Sequence, residues 1–157
     1  YVKFGYSILT IKYFIFVSIL ISVSIIDIKS YFVPDSLSFS LIIFGIISAF
    51  FSNMSLEVAF IGAGTYAFFF TLIYGYGEYI FKKEAMGFGD IKLAAGIGSF
   101  LGYSNFLNLY IFITITFLLG AIISLTLMRL KIKERTSQIA FAPYLAISGL
   151  IMMFIQL

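Results

Sequence analysis

Apolar runs of roughly bilayer-crossing length recur from one end of this chain to the other, separated only by short polar connectors. That pattern constrains the fold more than any other feature, because a helix needs about 17–25 apolar residues to cross a hydrocarbon core. The runs fall at roughly 13–26 (entered as early as residue 6), 37–51, 56–81, 91–101, 106–128 and 139–157. With 62% hydrophobic residues, 11% charged residues and a mean hydropathy of +1.11, the composition is unlike that of a soluble domain. The expectation is an all-α membrane protein, a bundle of six transmembrane helices forming one polytopic domain over residues 1–157. The fourth run is short for a full crossing, which predicts a helix that is tilted or sheltered inside the bundle. Tyr1-Val2-Lys3 lacks an initiator Met, so the chain reads as the C-terminal core of a longer one. No basic segment precedes the first run and no A-x-A-like site follows it, so it does not read as a signal peptide.

The connectors carry the punctuation. Pro34 breaks helical geometry and Asp35-Ser36 can cap the helix that follows. The third run holds Gly62-Ala63-Gly64 and Gly75-Tyr76-Gly77-Glu78, small residues whose simplest use is close helix packing. Glu78 lies one turn from Lys82, which predicts an intrahelical pair. Pro143 falls where the last helix should start.

Charge orients the bundle. Six crossings put the connections at 27–35, 82–90 and 129–137 on one side, with Lys29, Lys82, Lys83, Lys92, Arg129, Lys131, Lys133 and Arg135 close to them. Only Lys3 and Lys12 lie opposite, so the positive-inside rule makes those three connections cytoplasmic. The net charge of +3 forms no aromatic-interleaved basic stripe, and no nucleic-acid partner is expected.

The absence of Cys and His removes disulfides, cysteine or histidine zinc sites, thiol nucleophiles and Ser-His-Asp chemistry, leaving carboxylates, Lys, Tyr and Ser/Thr for any catalysis. Asp27 and Asp90 stand at the same side of the bundle, each where a run meets a connector. An acid at the mouth of an apolar helix is costly unless it is used. If the two face each other, repulsion and partial desolvation split their titration, so that one is ionised and the other protonated near neutral pH. Such a pair can activate water against a peptide carbonyl. The plainer readings are a solvated acid at a helix end for Asp27, a helix cap for Asp35, and a simple turn for Gly87 and Gly89. Lys92 is equally a head-group anchor or a group that tunes Asp90. A proton or cation relay in a small transporter or channel subunit is the rival use of the two acids, and a non-catalytic assembly subunit is a third.

Ile26-Asp27, then Pro34-Asp35, then Gly87-Phe88-Gly89-Asp90-Ile91-Lys92-Leu93, then Phe141-Ala142-Pro143-Tyr144-Leu145-Ala146 resembles, in order and across the whole chain, the type IV prepilin peptidases, GxGD-class intramembrane aspartic proteases. The resemblance implies catalytic aspartates at Asp27 and Asp90, with Gly87, Phe88, Gly89, Lys92, Pro34, Asp35 and Pro143 around the substrate. It implies a multi-pass enzyme of the inner (cytoplasmic) membrane whose active site lies near the cytoplasmic face. Its partners would be the lipid bilayer and the helix of a type IV prepilin or pseudopilin, whose short basic leader it removes. Many bacterial relatives also carry a four-cysteine metal site and N-methylate the product. With no Cys here, neither zinc nor S-adenosylmethionine is expected, and no cofactor is assigned. The substrate helix is expected to dock laterally and unwind at the loop of Gly87 and Gly89, with Asp27, Asp35 and Glu84 attracting the basic leader.

Overall fold

Backbone polar groups have no water to bond in lipid, so an apolar chain of this kind satisfies them within helices. The computed structural model describes residues 8–52, 54–82, 86–131 and 139–156. Among these it contains α1 (Ile8–Ser30), α2 (Asp35–Ala49), α3 (Leu56–Phe81), α4 (Phe88–Leu101), α5 (Phe106–Arg129) and α6 (Ala142–Ile155), and no strand. The described residues are therefore all-helical, with six helices in the order the apolar runs predict. Three of them, α1, α3 and α5, are long and apolar enough to cross a membrane. The other three, of 15, 14 and 14 residues, fall short of the ~20 residues a straight crossing takes.

The boundaries differ from the hydropathy edges at two informative places. Helix α1 does not stop at Ile26 but carries Asp27, Ile28, Lys29 and Ser30 in its last turn, with Ser30 Oγ donating to the Ile26 carbonyl at 2.7 Å. It ends at Tyr31, whose φ of 52° turns the chain out of the helix. Likewise α4 starts at Phe88, so the Gly-Phe-Gly-Asp stretch is a helix start rather than a free loop. A fall in hydropathy marks the edge of the apolar stretch; the hydrogen-bond ladder ends where backbone geometry changes.

Caps set the other starts. Ser55 accepts from the Val58 N–H at 3.3 Å and Asn105 from the Asn108 N–H at 2.8 Å, each satisfying one orphan donor of a first turn. Pro143 lies in the first turn of α6, where a missing N–H costs nothing. Asp35, expected as the cap of α2, is instead its first helical residue; Pro34 occupies the cap position without a side-chain bond.

Helix α4 is the centre. Asp90, Ile91 and all residues from Leu93 to Phe100 are buried, and α2, α3 and α6 pack around them. Its small residues explain how three neighbours fit. A Cβ on Gly96 would lie 2.7 Å from Leu41 Cδ2, and one on Gly98 would lie 2.8 Å from Tyr66 Cβ, so both backbones touch their neighbours directly. Gly62 faces the far end of α4, where a Cβ would meet the Gly102 backbone at 2.9 Å. The packing role expected of Gly64 and Gly75 is not found; a Cβ there meets nothing within 4 Å. On the outer side α3 meets α5 through rings, Tyr66 against Phe112 at 4.9 Å and Phe70 against Phe112 and Phe117 at 6.0 Å each. Each such pair adds about 0.5–1.5 kcal/mol beyond its area.

The predicted pair of Glu78 with Lys82 is not formed: Glu78 is exposed and the Lys82 ammonium lies 5.0 Å over the Tyr79 ring. Among the described residues the one ion pair joins Lys92 to Asp35. Glu84, Lys83, Lys133 and Arg135 lie outside the described residues.

Candidate active site

The C-terminal end of α1, the N-terminal ends of α2, α4 and α6, and the later half of α5 converge on one cavity of about 880 Å³. Asp27 and Asp90 both line it, and both are buried, at 5% and 6% exposure. A carboxylate so enclosed needs a local reason to be there.

For Asp27 the reason is another helix. The first turn of α6 has no side-chain cap of its own, and its Ala142 N–H donates to Asp27 Oδ2 at 2.9 Å. Asp27 thus serves as a cap supplied by α1 to α6, with the positive end of the α6 dipole aimed at it. The plainer expectation of a solvated acid at a helix end is overturned by this burial.

For Asp90 the reason is its own turn. Gly87 is the cap residue of α4, which places Asp90 as the third helical residue, where a side chain can reach back to the cap N–H. The Asp90 N–H donates to the Gly87 carbonyl at 3.1 Å, which fixes that turn. Asp90 Oδ1 has no partner and no access to solvent, so one oxygen of the pair of acids is left uncommitted. Buried polar atoms are rarely left so, and where they are, a role for the free oxygen is the first question.

Gly87, Phe88, Gly89, Lys92 and Asp35 line the same cavity, as the sequence motifs suggested. Pro34 and Pro143 do not; they shape the starts of α2 and α6 beside it. Gly89 is needed for packing, since a Cβ there would come within 2.8 Å of Val33 Cβ. Lys92 neither stands free as an anchor nor addresses Asp90; it pairs with Asp35. Asp35 is therefore not a free acid waiting for a basic leader.

Sequence reasoning overlooked the wall from α5, which brings Phe117, Gly120, Ala121 and Ser124 to the cavity, and gave no separate role to Phe141 and Tyr144 from α6. The α5 residues recur at the i, i+3, i+4, i+7 spacing of one helix face, which was legible as a face but not as one turned toward the acids. In the α6 motif it is a backbone N–H, that of Ala142, that meets Asp27, and no residue type announces that.

A model of the type IV leader peptidase family matches residues 14–125, a stretch that includes both acids. The chain belongs to this family. Its relatives include the prepilin leader peptidase/N-methyltransferase of Legionella pneumophila, 38% identical over 157 residues, which covers 96% of this chain and 52% of the relative. Those of Pectobacterium carotovorum subsp. carotovorum and Pseudomonas aeruginosa are each 34% identical, covering 86% and 83% of this chain and 48% and 44% of themselves. The chain spans about half the length of the curated relatives it matches. No solved structure matches it. For a type IV leader peptidase the matched stretch is notable for where it stops, since α6, which binds Asp27, lies beyond residue 125.

Proposed function

We propose that this chain is an intramembrane aspartic endopeptidase that removes the short basic leader of a type IV prepilin or pseudopilin, with Asp27 and Asp90 as the catalytic pair. The observation that carries this reading is that two buried carboxylates from helices far apart in sequence line one cavity in a member of the type IV leader peptidase family. Their environments differ, which is what a pair with two roles requires. The ionised member takes a proton from a water as that water attacks the scissile carbonyl carbon, and the protonated member gives its proton to the carbonyl oxygen. The tetrahedral diol then breaks its C–N bond: the newly protonated aspartic acid gives its proton to the leaving amine while the other carboxylate takes one from a diol hydroxyl, which leaves a carboxylic acid product and restores the one-proton pair. Water and two carboxylates suffice for this sequence, and no cofactor is invoked.

In this reading all six helices lie in the inner membrane, the three short ones sheltered by the long ones, and the cavity opens toward the cytoplasm. The basic residues near the cavity end, Lys29, Lys82, Lys92 and Arg129 among them, support that orientation. The substrate is itself a membrane helix, and its scissile bond has to unwind before attack because helical carbonyls are already bonded. The start of α4 offers it a site where Gly87 presents backbone without side chain.

The test is cleavage of a purified prepilin in detergent by the wild type, Asp27→Asn and Asp90→Asn. Amides keep the shape while removing the acid–base pair, so the wild type should cut and both variants should not. Cleavage retained in either variant would refute the pair. Ion flux in proteoliposomes with no proteolysis would turn the reading toward a relay.

A further inference from the structure

We propose that the Lys92–Asp35 ion pair is a positioning device for Asp90, tying the first turns of α4 and α2 together so that the Asp90 carboxylate keeps its place in the cavity. This rests on the peptidase reading and assigns a role to two residues of that site. The need for such a device follows from how Asp90 is held. Its Oδ1 has no partner and its backbone N–H bonds the Gly87 carbonyl of its own turn, so its position is that of the α4 backbone.

A lysine near a helix N-terminus meets the positive end of the dipole and is disfavoured there without a partner. Lys92 has one in Asp35, the first residue of α2, where a carboxylate is favoured by the same effect. The lysine side chain is 22% exposed and the aspartate 55%, so the pair is partly withdrawn from water at the rim of the cavity. The ammonium also lies 5.3 Å over the Phe88 ring and 5.9 Å over the Phe39 ring, one on each helix that the pair joins.

Residues two apart on a helix do not face each other, so Lys92 acts on Asp90 through the backbone rather than through its charge. The turn between them is pinned twice more. Gly89 packs its bare backbone against Val33, and Phe88 sets its ring edge-on to Tyr74 of α3 at 6.4 Å. Of these contacts, only the ion pair is polar and can be broken without changing the fit of the core.

The test uses the full chain in detergent with purified prepilin as substrate, comparing Asp35→Asn, Lys92→Met, Lys92→Arg and the double variant of Asp35→Asn with Lys92→Met. A displaced carboxylate costs turnover rather than binding, so kcat should fall roughly tenfold or more in each single variant, with KM within about twofold. The double variant should be no worse than the poorer single one, because both break the same tether. Lys92→Arg, which keeps the charge, should retain most of the activity. Amide hydrogen exchange at residues 91–95 gives a second readout that needs no activity; it should quicken in Asp35→Asn and Lys92→Met while the middle of α5 stays unchanged. Unchanged kcat in the single variants, multiplied losses in the double variant, or unaltered exchange at 91–95 would each overturn the proposal. If the wild type does not cut prepilin, the peptidase reading fails, and the exchange measurement still decides the tether. Asp35 is exposed enough that its variant keeps the test open should Lys92→Met fail to fold.

Discussion

Asp27 stands in the last turn of one helix and is bonded by the first turn of another, whereas Asp90 stands in the first turn of a helix and keeps one carboxylate oxygen without a partner. Both are buried to the same degree in the same cavity. The difference separates two ways of placing a carboxylate inside an apolar bundle. At Asp27 the acid is itself a structural part, accepting the open Ala142 N–H of α6. At Asp90 the acid contributes little to the fold, and the fold around it is arranged to hold the backbone still: Gly89 against Val33, Lys92 with Asp35. An acid of the first kind should be costly to remove even if it did no chemistry; an acid of the second kind should not.

The largest effects come from removing the charges while keeping the shapes. Asp27→Asn and Asp90→Asn should each lower prepilin cleavage by about 10²–10⁴-fold, measured as kcat/KM, with little change in folding, since an amide oxygen can still accept the Ala142 N–H. Truncation then separates the two corners. Asp27→Ala leaves a buried N–H of α6 unpaired and should cost about 1–3 kcal/mol of stability. Asp90→Ala removes an oxygen that already lacks a partner, so it should cost less than Asp27→Ala or stabilise; thermal unfolding of both in detergent compares them directly, and equal losses would erase the distinction. Next in size is Gly89→Ala, whose Cβ would press on Val33. It should shift the α4 start and lower kcat by roughly tenfold, and Val33→Gly in the same chain, which removes the Cβ it meets, should restore part of it. The smallest change is Gly64→Ala on the open side of α3, where a helix-interior methyl should add about 0.5–1 kcal/mol of stability and leave cleavage alone. The same substitution thus lowers turnover at one glycine and leaves it alone at the other.

Much of this was legible in the chain before any coordinates. The six helices follow from the apolar runs, and α3 and α5 begin at the predicted residues because Ser55 and Asn105 are strong caps. The sheltered fourth helix followed from its length, and Ala94, Ala95, Gly96 and Gly98 mark the close packing that its centre requires. What misled was local. Asp35 has the composition of a cap and Glu78 the spacing of a helix pair, but an ion partner across the bundle won Asp35, and Lys82 turned to a ring. Local rules propose partners within a turn, of which only some form, and none beyond it.

The sequence by itself therefore determined the all-helical class, the order of the helices and the two acids that stand out in an apolar chain, because hydropathy, capping and charge are properties of a few neighbouring residues. Only the tertiary structure decided that α6 binds Asp27, that Lys92 belongs to Asp35 and that one face of α5 closes the cavity. Those facts depend on which helix faces which, and in an apolar bundle that choice rests on the fit of small residues such as Gly96 and Gly98 against Leu41 and Tyr66, to which hydropathy is blind.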